Sequence, residues 1–372
     1  MQDNHLNADR EGEVLRPNLT TKAMEPPHDA ETLRPNPKGL FEEEMIDLQV
    51  LKQLAGKSIL SVKDLDKKKV IELCKFAAFL EAIEVASYHP LDGKLVITAF
   101  FEASTRTRTS FESAVLRLDG KIISIPDASI TGVKKGESMG DIGEMFNAYG
   151  DLVIMRHTRI DAIEEIRQNL RVPLINAGNG AGEHPTQSLA DWYALLKWNP
   201  ALALEDKSIE KSLHLGILGT PDSMRAVKSF LLMTLLFKEN FKKISIVSEM
   251  ADPLGPELTA EMEQAGIPFA IINDLQEVIE DLDIIYMNSI ALLGGSYQAL
   301  DARYKLTSST NLKENAVILH PLSRLEELDT SLDDTRHNLY FSQAHGSVFV
   351  RQALLISIFD RFDRLPDSLP SK

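Results

Sequence analysis

Short apolar runs alternate with amphipathic helical segments along nearly the whole chain, and this alternation restricts the fold more than any other feature. Residues 95–101, 122–125, 152–155 and 172–175 read as buried strands, with apolar residues at helical spacing in 110–118, 137–149, 160–170 and 186–198. A polar stretch at 199–211 interrupts the pattern. It resumes with strands at 213–218, 244–247, 269–272, 284–287 and 317–319, again separated by helical segments. Strands that are apolar throughout and joined by helices fit parallel sheets covered on both faces. The expected fold class is therefore α/β: two doubly wound domains with parallel sheets, joined by interdomain helices. The expected division is a flexible extension at 1–40, a first domain at 41–200 and a second at 201–372, whose last helix, 348–362, returns to the first.

One strand-to-helix turn carries unusual chemistry. Residues 100–112 read F-F-E-A-S-T-R-T-R-T-S-F-E, between the strand at 95–101 and a helix marked by Phe111, Ala114, Val115 and Leu118. The first turn of a helix leaves backbone N–H groups without partners at the positive end of its dipole, so an anion is favoured there. Ser104, Thr105 and Thr107 add hydroxyl donors, and Arg106 and Arg108 add guanidinium forks that match phosphate or carboxylate oxygens. Helix capping alone selects residues such as Ser104, but it does not require three hydroxyls interleaved with two arginines.

The rest of the composition narrows the partners. A formal charge of −15 over 372 residues opposes nonspecific binding to nucleic acid or anionic membrane. No apolar run approaches the roughly 18 residues of a membrane span. Cys74 is the single cysteine, which excludes an intrachain disulfide and fits a reducing compartment, the cytoplasm. The extension is polar and broken by Pro17, Pro26, Pro27, Pro35 and Pro37, with too little apolar surface to offset the cost of ordering.

In open α/β sheets, functional residues follow the carboxyl ends of strands. Arg156-His157 follows the strand at 152–155, and N-A-G-N-G leads into His184-Pro185-Thr186-Gln187 at a helix start. G-T-P-D-S-M-R, ending at Arg225, follows 213–218, and His320-Pro321-Leu322-Ser323-Arg324 follows 317–319. Together, S-T-R-T-R, V-I-M-R-H, H-P-T-Q and I-L-H-P-L-S-R resemble the aspartate/ornithine carbamoyltransferase family, closest to its aspartate branch, over about residues 51–365. The resemblance implies carbamoyl phosphate and an amino acceptor as ligands, no metal or organic cofactor, and a homotrimer open to further subunits. Its reaction would give N-carbamoyl-L-aspartate and phosphate, a step of pyrimidine biosynthesis. It further implies that Ser104, Thr105, Arg106 and Thr107 hold the phosphate. Thr107, Arg156 and His184 would surround the carbonyl oxygen, while Gln187 and the backbone at Pro321 and Leu322, next to Ser323, would grip the carbamoyl nitrogen. Lys135 and Thr131 would arrive from a neighbouring subunit, and Arg225 would meet the acceptor's α-carboxylate.

The sequence departs from that family where the acceptor's side chain would be read. Y-M-N-S-I-A places Ser289 and Ala291 where the aspartate branch has arginine and glutamine, and neither replaces a guanidinium. Arg303 and Lys305 are the nearby cations able to substitute. A different acceptor, or a non-catalytic homologue with a ligand-binding or assembly role, stays open beside the aspartate reaction.

Overall fold

The computed structural model describes residues 35–371, apart from 43–44, 84, 133–135, 205–211 and 289–301. Lys135, Ser289, Ala291 and most of the N-terminal extension thus lie outside the described residues. At the extension's end, Pro37–Leu40 forms a 3-10 turn capped by the Asn36 side chain, and Leu40 is buried. Packing therefore begins before Phe41.

In the first half the helices are α1 (Leu48–Lys52), α2 (Lys67–Ala82), α3 (Thr105–Arg117), α4 (Met139–Tyr149), α5 (Ala162–Arg167) and α6 (Pro185–Trp198). They alternate with β1 (Leu95–Phe100), β2 (Lys121–Ile125), β3 (Leu152–His157) and β4 (Leu174–Asn179), which form a parallel sheet in the order β2-β1-β3-β4. The second half contains β5 (Leu213–Leu218), α7 (Arg225–Leu235), β6 (Phe241–Val247), α8 (Gly255–Ala265), β7 (Phe269–Ile272), β8 (Ile284–Met287) and β9 (Val317–Leu319). Its sheet is also parallel, ordered β7-β6-β5-β8-β9. The chain closes with α9 (Tyr340–Phe359). These are two parallel-sheet α/β domains, as the alternation predicts.

Three boundaries differ from the sequence expectation for local reasons. Helix α3 begins at Thr105, not at 110, because its first turn is hydroxyl and arginine with no apolar periodicity to mark it. Strand β4 continues to Asn179, beyond 175, because Asn176 and Asn179 satisfy their buried amides with each other, Leu60 and Ile160. Helix α9 starts at Tyr340, ahead of 348, since Gln343 finds buried partners that its polarity alone does not suggest.

One apolar core runs through both domains. Helix α6 packs against α7, and α9 packs on α2, α3 and α6. Trp192 of α6 stacks on Phe237 at 3.8 Å, and Phe230 of α7 stacks on Tyr286 of β8 at 4.0 Å. Aromatic pairs of this kind add about 0.5 to 1.5 kcal/mol beyond their burial; the Trp192–Phe237 stack joins the two domains, and Phe230–Tyr286 holds α7 on the second sheet. No described helix is long and apolar enough to cross a membrane.

The topology selects the site. Strand order reverses at β1 between β2 and β3, and at β5 between β6 and β8. Crevices at such switch points open at the carboxyl ends of the strands. The two open towards each other.

Candidate active site

A cleft of about 660 Å³ lies between the carboxyl ends of the two sheets. The first turn of α3 forms one wall. Ser104 holds the N-cap position, yet its side chain makes no capping bond, and it lines the cleft together with Thr105 and Arg106. Burial lowers the affinity of the Arg106 guanidinium for its proton, and no described partner offsets this. Arg108 faces the other way, towards Ser124 and Glu112. Residues two apart on a helix cannot share a face, so only one of the two arginines serves the cleft.

Thr107 and His184 meet below this turn. The Thr107 hydroxyl lies 3.2 Å from His184 Nε2, and the Thr186 hydroxyl lies 3.4 Å from Nδ1. His184 precedes Pro185 at the start of α6, and its backbone N–H donates to the Ser229 hydroxyl on α7 at 2.7 Å. Burial, with the charges of Arg156, Arg225 and Arg351, holds its pKa well below the usual 6.5. The ring is neutral at physiological pH. It is suited to a hydrogen bond at a developing oxyanion and ill suited to carrying a proton.

Arg156 from the end of β3 and Arg225 from the start of α7 converge on one carboxylate, Glu102. Arg156 Nη2 donates to Glu102 Oε1 at 2.6 Å. Arg225 makes a two-toothed contact at 2.5 and 3.0 Å and also donates to the Gly180 carbonyl at 2.8 Å. Burial works upward on the Glu102 carboxyl, but Arg225 and Arg156 outweigh it and hold the pKa below the ordinary range. Cationic Arg225 opens a helix, where the dipole disfavours positive charge. Glu102 neutralises that conflict across the domain boundary. Gly178, at φ +115°, permits the convergence: a Cβ there would meet Arg225 Nε at 3.1 Å and Arg156 Nη1 at 3.4 Å.

Pro321, Leu322 and Ser323 close the far side, after β9. Their loop is held by His320, whose Nδ1 accepts from the Leu322 N–H at 2.8 Å and whose Nε2 lies 3.0 Å from Glu327. Gln187 on α6 lines the same cleft.

Of the described residues expected at the site, Arg108 and Thr131 lie elsewhere; the Thr131 hydroxyl donates to the Ala128 carbonyl at 2.7 Å. Lys305 does not reach back: it pairs with Glu326 at 2.8 Å, and Arg303 sits over the Tyr304 ring. Neither lines the cleft. Glu102, Asp191 and Gln343 are the polar residues that strand-end reasoning missed. Glu102 lies inside the conspicuous 100–112 stretch and so left a trace, whereas Asp191 follows Gln187 by one helical turn and its burial carries no signal in the sequence.

Comparisons with known proteins agree with this geometry. A family model described as "Aspartate/ornithine carbamoyltransferase, carbamoyl-P binding domain" matches residues 57–197, and its "Asp/Orn binding domain" companion matches 211–358. The aspartate carbamoyltransferase catalytic subunit of Methanosphaera stadtmanae is 34% identical over 307 residues, 81% of this chain and 97% of that one. That of Thermococcus kodakarensis is 34% identical over 314 residues, 81% and 96% of the two chains. Among solved structures, aspartate transcarbamoylase from Trypanosoma cruzi with carbamoyl phosphate and aspartate superposes with a TM-score of 0.71 at 28% identity, covering 83% of this chain and 98% of that one. Its complex with N-(phosphonacetyl)-L-aspartic acid gives 0.72 at 29%, with 82% and 97% covered. By its sequence, its paired domains and the matching family models, this chain belongs to the aspartate/ornithine carbamoyltransferase family.

Proposed function

We propose that the chain transfers the carbamoyl group of carbamoyl phosphate to the amino group of L-aspartate, giving N-carbamoyl-L-aspartate and phosphate. The observation that carries this is the joint placement, in one cleft, of the hydroxyl and arginine turn of α3, the neutral His184 and the arginine pair at Glu102.

The mechanism follows from where charge develops. The phosphate sits at the α3 N-terminus, on Ser104, Thr105, Arg106 and Thr107. The carbamoyl carbonyl oxygen faces Thr107, His184 and Arg156, and the carbamoyl nitrogen faces Gln187 and the backbone of Pro321 and Leu322, beside Ser323. Arg225 takes the acceptor's α-carboxylate, which exchanges with the Glu102 carboxylate it now holds. As the amine attacks, negative charge grows on the carbonyl oxygen, then on the departing phosphate, and donors fixed at both places lower the barrier. The C–O bond to phosphate breaks, and the phosphate accepts the amine proton, so His184 stays neutral. Holding both substrates in register supplies much of the remaining acceleration.

Thr131 and Lys135 complete the site from an adjacent subunit of a homotrimer. The reaction belongs to cytoplasmic pyrimidine synthesis. Thr131's placement outside the cleft of its own chain supports a role in trans.

One observation favours a second acceptor. Among the described residues lining the cleft, the cations are Arg106, Arg156 and Arg225, and by the sequence resemblance Ser289 and Ala291, outside the described residues, replace the arginine and glutamine that would read a second carboxylate. An unpaired buried carboxylate costs several kcal/mol, enough to redirect the enzyme to an amine bearing one carboxylate. Phosphate release from carbamoyl phosphate against a panel of amines decides this: aspartate leads the panel if the proposal holds, and a monocarboxylic amine leads it if the second acceptor is right.

A further inference from the structure

Asp191 is a fully buried acid beside the cleft, and no substrate contact explains it. It lies on α6 one turn beyond Gln187. Its Oδ1 accepts from Gln187 Nε2 at 2.7 Å and from Gln343 Nε2 at 2.6 Å, and its Oδ2 accepts from the Tyr286 hydroxyl at 2.9 Å. Gln343 is oriented independently, because its Oε1 accepts the His320 N–H at 2.9 Å. Its Nε2 must therefore point at Asp191.

That constraint propagates. An amide has a donor end and an acceptor end, whereas an ionised carboxylate only accepts. Since Gln343 already donates to Oδ1, any proton on Asp191 resides on Oδ2, against a tyrosine oxygen able to accept it. Oδ1 is an acceptor in either state, so Gln187 must also turn its Nε2 inward and leave its carbonyl oxygen for the cleft.

We propose that Asp191 is a positioning residue that fixes the Gln187 amide with its oxygen towards the substrate, so that the site recognises the carbamoyl NH₂ as a donor. Through Gln343, the same carboxylate steadies the backbone of His320 and hence Pro321 and Leu322. This assignment rests on the carbamoyl transfer proposed above and on Gln187 meeting the carbamoyl nitrogen. It adds what orients that glutamine. Burial pushes the Asp191 carboxyl up to about 7, against hydrogen bonds from Gln187, Gln343 and Tyr286 and the charge of Arg351 on α9, which work downward. Tyr286 on β8 is the other titratable group at the hub, and its burial holds it protonated.

The test first sets a second acid against Asp191. Gln187→Glu puts two carboxyl groups in contact, which are compatible only while they share a proton. Its kcat/KM for carbamoyl phosphate should fall at least about ten-fold between pH 6 and pH 8.5, beyond any change in the wild type. A second comparison reads the acceptor directly. Asp191→Asn keeps an oxygen that accepts from both Gln187 Nε2 and Gln343 Nε2 while its NH₂ donates to the Tyr286 oxygen, so its KM for carbamoyl phosphate should be at least about five-fold lower than that of Asp191→Leu, which offers Gln187 no acceptor. A merely structural Asp191 gives no such difference. A Gln187→Glu enzyme with a wild-type pH profile, or folded Asp191→Asn and Asp191→Leu enzymes of equal KM, overturns the assignment. The Gln187→Glu profile decides the matter even where the leucine variant fails to fold. Failure of the underlying function looks different: the wild type then releases no phosphate, or Gln187→Ala leaves the KM for carbamoyl phosphate unchanged.

Discussion

Glu102 is the residue on which the cleft's charge balance turns. It holds Arg156 and Arg225 together from the first domain, and its replacement by glutamine leaves two largely buried guanidinium groups sharing one neutral acceptor. Hydrogen bonds to charged groups contribute about 1.5 to 3 kcal/mol each. Glu102→Gln should therefore lower kcat/KM for carbamoyl phosphate, through the loss of Arg156's charged partner, about ten-fold or more while circular dichroism shows the fold intact; unchanged kinetics would remove Glu102 from the site. His184 yields a prediction of a different kind. Its folded pKa lies below its unfolded value, so the unfolded chain binds a proton that the folded chain refuses as pH falls below about 6.5. Stability is whole above that pH and is lost below it, by up to about 1.4 kcal/mol per pH unit for one proton. Thermal unfolding at pH 7 and pH 5.5 should show a smaller drop for His184→Gln than for the wild type. At this scale Arg106, Arg156, His184 and Arg225 were legible because strand ends and helix starts announce them. Glu102 and Asp191 were not, since their partners are distant in sequence or their burial is invisible there.

Among the elements, the β4 end and the α3 start define the anion pocket. Gly178 lies in β4 at a positive φ, with two arginines packed where a side chain would stand. Gly178→Ala strains the backbone by about 1 to 3 kcal/mol and pushes Arg156 and Arg225 apart. The midpoint of thermal unfolding should fall, and carbamoyl phosphate affinity, read by calorimetry, should fall more than stability alone explains. An alanine variant that binds as tightly as the wild type would mean the arginine convergence is incidental. The sheets were legible because each strand is a compact apolar run between helical periods. The helix start at Thr105 was not, since a polar first turn that serves a site carries no apolar signal, and the start at Tyr340 was hidden because the S-Q-A-H-G-S run at 342–347 separates Tyr340 and Phe341 from the apolar stretch that follows.

For the whole molecule, the two domains share one core through α6, α7 and α9, and the cleft lies between them. Complementation tests the proposed sharing between subunits: mixing Lys135→Ala with Arg106→Ala chains should restore activity, because a hybrid interface holds one intact site. Verified mixed oligomers that stay silent would place Lys135 outside the reaction. The central claim is carbamoyl transfer to aspartate, and the most direct measurement follows the carbon itself. ¹³C-labelled carbamoyl phosphate is incubated with the enzyme and an equimolar mixture of amino acids, and the label is traced by NMR. The account predicts that the label appears as N-carbamoyl-L-aspartate with release of one phosphate, and that Arg156→Ala abolishes it. Label that appears on another amine, or only as products of spontaneous breakdown at the rate seen without enzyme, would contradict it.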